Sequence, residues 1–390
     1  MEPRRFEFSV DGTILDDLAY RLAHVRWPQD LENDDWYYGV NRQYLESLVT
    51  YWADGYDWAA ELAAINAFDH FQVELDGFPI HFIRAPGIGP NPIPIILTHG
   101  WPWTFWDYHK VIGPLSDPVS HGGDSADAFE VIVPSLPGFG LSTPTPRSGM
   151  NYWRTADLWQ RLMTEVLGFQ RYAAQGGDYG AVVASQLAHK YAASLIGIHV
   201  TNAVSPALFA NPRPWDMLGG QIRDMPPDRR AAAIAVERNV AAHITTHLLD
   251  PQTLAYGAHD SPVGLLAWLL ERRRAWSDCD GDVERRFSRD YLLTTAMLYW
   301  ATGSFVSSVR FYADAARYPW TPSHERKPMF EAPAGITIFR NDSASLPNPA
   351  RVANYNAHFY RERATGGHFG PAEEPEAVVE DIRETFRPFR

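Results

Sequence analysis

The 390-residue sequence has one cysteine, Cys279, and no long hydrophobic run. A single cysteine excludes an intramolecular disulfide framework. Its longest apolar stretches, such as Pro94–Thr98 and Gly264–Leu270, fall far short of the roughly 20 residues a transmembrane helix requires. The N-terminal "MEPRRFEFSVDG" lacks the apolar core of a signal peptide. Basic residues are scarce beside acidic ones, 34 against 47, for a net charge of −13. That balance argues against a sequence-independent nucleic-acid binder, which needs a basic face. Repeats, low-complexity tracts and long charge runs are also lacking. Together these absences predict a soluble, cytoplasmic protein with no membrane anchor, and leave small-molecule chemistry open.

Aromatic residues are plentiful: 13% of the chain, with 14 tryptophans. They suit an apolar pocket, although a tryptophan-rich core accounts for many of them equally well.

Four regions follow from the periodicities. Residues 1–70 read as helical. Thr13 and Asp16 resemble a capping box, and the helix they start should stop near Trp27-Pro28. A second helix from Asn41 should bury Leu45, Leu48, Val49 and Trp52. The period then changes to two, predicting strands within Phe71–Ile83 joined by an Asp76-Gly77 turn. From residue 71 to 205 buried strands (93–98, 129–136, 171–177, 197–200) alternate with helices, including one behind the third strand over 178–195. This pattern implies a mostly parallel sheet covered on both faces. Residues 206–325 lose the strand signal and read as a helical cap with proline-rich joints at "NPRPW" and "MPPD". A last strand, "AGITIFR" (334–340), opens the closing segment, 326–390.

The stretch "GGDYG" (176–180) has the G-x-nucleophile-x-G form of a nucleophile elbow, between a strand and a helix. Small flanking residues are needed because the bend strains the nucleophile and brings strand and helix together. The N–H of Tyr179 would then point at the site. A plain Gly-Asp turn remains the alternative for the five residues alone. "THGWPW" (98–103) follows the strand 93–98, where such folds keep a second oxyanion donor. Pro102 has no N–H, which leaves Trp101 or Trp103, with Trp101 preferred. His368 in "TGGHFGPAEEPE" completes the order nucleophile, acid, histidine. Asp342 lies in the loop where an orienting acid belongs, with Glu331 and Asp314 as competitors.

An aspartate nucleophile is charged at neutral pH and attacks an alkyl carbon without a base. The resulting ester needs an activated water. The chemistry is therefore epoxide opening or halide displacement, and an epoxide oxygen requires an acid above the nucleophile. His243 and His247 are spaced i, i+4, but without the glutamate of a zinc helix no metal is expected.

These residues, together with "RWP", "HGWP", "PSLPGFGLS", "PQTLAYGAHDSPVGLLAW", "YWATG", "SSVRFY" and "GGHF…EEPE", resemble the microsomal-type epoxide hydrolases over nearly the whole chain. The resemblance implies an α/β-hydrolase core, a helical cap and an N-terminal extension that wraps the core. It implies Asp178 as nucleophile, His368 as water-activating base, Asp342 as relay acid in place of the usual glutamate, and Tyr312 as one of two proton-donating cap tyrosines. It also implies no cofactor, an epoxide and water as partners, and leaves a homodimer open. The chain departs from the family at two places in the site. Trp103 replaces the glycine of H-G-W-P-G, so Trp103, with Trp106, is expected in the substrate pocket. No tyrosine precedes "PQTLAYG"; His243 falls closest to that position and Tyr256 is nearby, so these are the candidate second donors. A haloalkane dehalogenase and a non-catalytic binder of an apolar metabolite stand as alternatives.

Overall fold

A computed structural model describes residues 2–210, 225–343 and 349–390, with Arg213, Trp215 and Ile222 in addition. The "NPRPW" joint therefore lies largely outside the described residues. Nine strands form one sheet: β1 (Arg4–Phe6), β2 (His70–Leu75), β3 (Phe78–Ala85), β4 (Ile93–Thr98), β5 (Phe129–Pro134), β6 (Tyr172–Gly176), β7 (Leu195–Val200), β8 (Phe330–Phe339) and β9 (Tyr355–Arg363). Their order is β1-β2-β3-β5-β4-β6-β7-β8-β9. The first four are antiparallel, and β5 through β9 run parallel.

Alternation along the strands feeds two cores. Ile95 and Leu97 of β4 join one cluster and Ile96 the other, as a pleat with helices on both faces requires. Helices Tyr152–Arg161 and Tyr179–Lys190 cover one face; His109–Ser116 and Pro375–Phe386 cover the other. Between β7 and β8 the chain builds a cap from five helices among the described residues: Pro227–Leu249, Pro251–Asp260, Pro262–Trp276, Arg289–Thr302 and Phe305–Arg317.

The first helix, Gly12–Ala23, departs from expectation at both ends. Asp11, not Thr13, is its N-cap, accepting the Thr13 N–H at 2.8 Å. It ends four residues before Trp27, with His24 as C-cap. The second helix, Arg42–Asp54, is capped by Asn41 and buries Leu45, Leu48, Val49 and Trp52. The 1–70 region is not purely helical, since β1 pairs with β2 at the sheet edge. Nor does it touch only the core. Tyr51 donates to Asp290 (2.7 Å), Tyr44 to Glu284 (3.0 Å), and Tyr56 pairs with Thr294 (2.9 Å), so the extension also braces the cap.

Candidate active site

The site sits where β4, β6 and β7 end, beneath the cap. Asp178 follows β6 and begins the helix Tyr179–Lys190 with φ 50° and ψ −119°, a backbone state that side chains rarely adopt. Close packing enforces it. A side chain at Gly180 would come within 1.9 Å of the Thr98 carbonyl oxygen, and one at Gly100 within 2.5 Å of the Asp178 side chain. The Asp178 N–H donates to Asn202 Oδ1 at 3.1 Å, which fixes the bend from the end of β7.

The two carboxylate oxygens of Asp178 meet different surroundings. Oδ1 accepts the backbone N–H of Trp101 at 2.7 Å. Oδ2 lies 3.4 Å from His368 Nε2, a nitrogen that carries no hydrogen bond. Tyr179 is the first residue of its helix, so its N–H belongs to the unpaired set at a helix start. The Trp101 loop is braced by His99, whose Nδ1 is 2.9 Å from the Gly100 carbonyl while Nε2 accepts the Leu136 N–H at 3.0 Å. Burial lowers His99 to about 4, so it serves there as a neutral strut.

His368 Nδ1 donates to Asp342, 3.2 and 3.3 Å from its two oxygens. Burial alone would lower the imidazole, but the charge and hydrogen bonds of Asp342 and the charge of Asp178 outweigh it and raise His368 to about 10. The competing acids are engaged elsewhere: Asp314 accepts the Gly149 N–H at 2.8 Å, and Glu331 pairs with Arg326.

Above Asp178 the cap presents rings. Tyr312, on the helix Phe305–Arg317, is 8% exposed. Burial and the charge of Asp178 push its phenol well above the ordinary value. His243 stacks on the Trp101 ring at 5.5 Å and lies 5.9 Å from the Tyr312 ring. Burial, with the nearby His247, Arg272 and His368, holds it well below 6.5, so it is a neutral imidazole. Trp276 closes the side, 4.7 Å from His243 and 5.1 Å from His368.

Three expected pocket or donor residues fall elsewhere. Tyr256 is 71% exposed, on the outer side of the helix Pro251–Asp260, and faces solvent. Trp106 stacks on His109 at 4.4 Å and meets Phe68 edge-on, in the core cluster on the other sheet face. Trp103 is completely buried. Its ring backs His368 edge-on at 5.7 Å, and its carbonyl accepts the Tyr299 hydroxyl at 2.8 Å. The ring is thus wedged between His368 and Gly177, the residue before Asp178.

His247, Trp276 and Asn202 join the site without having been anticipated. In the sequence His247 stands out only through its i, i+4 spacing from His243; its Nε2 accepts the Trp268 indole N–H at 3.2 Å. Asn202 could have been suspected as a polar residue just past a parallel strand beside the nucleophile strand. Among the described residues, no group of three metal-ligating side chains could hold an ion. Nor, among them, is any helix long and apolar enough to cross a membrane.

Comparison with known proteins points one way. Residues 3–108 match the family model "Epoxide hydrolase N terminus", and residues 93–375 match "alpha/beta hydrolase fold". A Stigmatella aurantiaca protein, provisionally named an epoxide hydrolase, is 37% identical over 388 residues, covering 99% of this chain and 85% of its own. Epoxide hydrolase 1 of Oryctolagus cuniculus is 33% identical, covering 97% of this chain and 87% of its own. The crystal structure of juvenile hormone epoxide hydrolase from Bombyx mori superposes with a TM-score of 0.80 at 28% identity, covering 99% of this chain and 94% of that one.

Proposed function

This chain belongs to the microsomal-type epoxide hydrolases of the α/β-hydrolase fold, and we propose that it opens its epoxide through a covalent ester on Asp178. The division of labour between the Asp178 oxygens supports this reading above all. Oδ1 is already bound by the Trp101 N–H, and Oδ2 is left to attack. In the first step Oδ2 bonds to an epoxide carbon, the carbon–oxygen bond of the ring breaks, and Tyr312 passes its proton to the departing oxygen. Buried phenols resist ionisation, so a second donor eases this step. His243, as a neutral N–H donor, is the group we assign to it.

In the second step His368, having given its own proton to the Tyr312 phenolate left by the first step, removes a proton from water at Nε2, and the hydroxide adds to Asp178 Cγ. The negative charge that develops on Oδ1 is held by the Trp101 and Tyr179 N–H groups. The ester then breaks at Cγ; the diol leaves with the former Oδ2 and takes its proton from His368. The acid proton left on Asp178 at the end returns to His368. Forming the ester also neutralises one of the two carboxylates that keep His368 protonated, so the imidazole gains basicity-relevant freedom to deprotonate only after alkylation. Asp342 holds the ring through Nδ1 in both steps. The walls of Trp101, Trp276, His243 and Tyr312 favour a bulky or aromatic epoxide.

Single turnover in heavy-oxygen water tests the mechanism. The first-turnover diol should be unlabelled while Asp178 gains one heavy oxygen. A labelled diol with unlabelled Asp178 would mean that water attacks the epoxide directly.

A further inference from the structure

Four successive backbone N–H groups around His368 all point at partners. Gly366 donates to Asp278 Oδ2 (2.9 Å), Gly367 to Glu373 Oε2 (3.0 Å), His368 to the Trp276 carbonyl (2.9 Å) and Phe369 to Glu373 Oε1 (2.9 Å). Glu373 Oε2 also accepts the Asp278 N–H at 2.8 Å. One carboxylate thus grips the residues on both sides of His368 and, with the same oxygen, the segment that ends the cap helix Pro262–Trp276. Asp278 is itself held by Arg286, which reaches on to Glu374 at 3.0 Å. The fit leaves no slack: a side chain at Gly367 would come within 2.6 Å of the Trp276 carbonyl.

Glu373 is 8% exposed. Burial raises its carboxyl to about 7 even though the N–H groups of Asp278, Phe369 and Gly367 oppose the rise. A buried carboxylate is costly even with the charge of Arg286 to ease it, and a plain turn would not need one. The N–H bonds pull both flanks of one histidine onto one group, and that histidine must present Nε2 to water.

We propose that Glu373 is the positioning residue of the His368 base, clamping its loop to the end of the cap so that Nε2 stays aligned for ester hydrolysis. This rests on the reading of His368 as the base. Glu373 touches no reacting atom, and attack by Asp178 does not use it. Loss of the clamp therefore slows the second half-reaction and spares the first. A misplacement of the order of 1 Å is enough to cost about 100-fold.

The test uses the full chain carrying Glu373→Gln. A Gln side chain offers one acceptor oxygen where two are in use, and its NH2 must face an N–H. Mixed with excess epoxide and quenched, the variant should accumulate alkylated protein by intact mass, with ester hydrolysis about 100-fold slower. In steady state kcat and KM should fall together, leaving kcat/KM near the parental value. Glu373→Asp, which keeps the charge but shortens the reach, should behave the same way to a smaller degree and covers the case in which Glu373→Gln folds poorly. His368→Gln separates the two ideas. If it accumulates no ester, the base assignment is wrong. If it does, while both Glu373 variants hydrolyse the ester at the parental rate or lose both half-reactions equally, the clamp is wrong.

Discussion

The floor and the roof of the site are built by different means. The floor is backbone: a strained φ at Asp178, the Trp101 N–H on Oδ1, and glycines that let strands, loop and helix touch. The roof is side chain: Tyr312, His243, His247 and Trp276 packed ring against ring at centroid distances of 4.7–6.0 Å. Backbone geometry tolerates little change, because every neighbour shares it. A packed set of rings can exchange one member for another of similar size, and a histidine stands here where the resemblance leads one to expect a second tyrosine. Under the proposed mechanism the floor would carry ester formation and hydrolysis, and the roof proton donation and the choice of substrate.

The largest effect should come from the floor. Asp178→Asn should retain the fold but lose diol formation by about 1000-fold or more, with no alkylated protein by mass. Turnover that persists at the parental rate would remove the floor's claim to the chemistry.

A buried ion pair joins floor and roof. Arg273 of the cap donates to Asp107 at 2.7 Å and to the Pro102 carbonyl of the Trp101 loop at 3.2 Å. Arg273→Met leaves Asp107 buried and unpaired, so urea unfolding should report a loss of about 3–5 kcal/mol. An unchanged midpoint would mean that the two regions are stabilised independently.

Within the roof, Tyr312→Phe should slow ester formation by about 100-fold and His243→Ala by about 10-fold, read by rapid mixing. If the two share one proton transfer, the double variant will lose less than the product of the single losses. Equal and fully multiplicative losses would mean two separate roles.

Much of the floor could be read from sequence, and less of the roof. An elbow's physics demands small residues at fixed offsets, so "GGDYG" and "HGWPW", set after their strands and followed in order by an acid and a histidine, point to Asp178, Trp101 and Tyr179. Ring clusters carry no such spacing rule. Trp103 and Trp106 look alike in sequence, yet one backs His368 and the other packs on the opposite sheet face. The edge strand β9 escaped for a related reason. Its inner side is charged: Arg361 and Arg363 reach the fully buried Asp381 at 2.7 and 3.0 Å. Apolar alternation is confined to Tyr355, Ala357 and Phe359, too short a run to mark it.

A smaller effect concerns pH. His368 is raised in the folded chain, so its stabilising contribution is complete below about 6.5 and is lost as pH rises through about 10. Asp178→Asn removes one of the two carboxylates responsible. The variant's loss of stability should therefore be smaller and be complete at lower pH than the parent's, measured by denaturant unfolding between those limits. Superimposable pH curves would show that Asp342 alone holds the proton.

The smallest effect should be at Tyr256. Its neighbourhood in sequence makes it a plausible substitute for a missing cap phenol, but its ring is 71% exposed, on a helix face turned to solvent. To protonate an epoxide it would have to leave water and enter a roof already filled by His243, Trp101 and Tyr312. Tyr256→Phe should thus leave ester formation within about twofold of the parent, as surface changes generally do. A slowing comparable to that of Tyr312→Phe would mean that the cap rearranges when substrate binds, and that the roof described above is only its resting form.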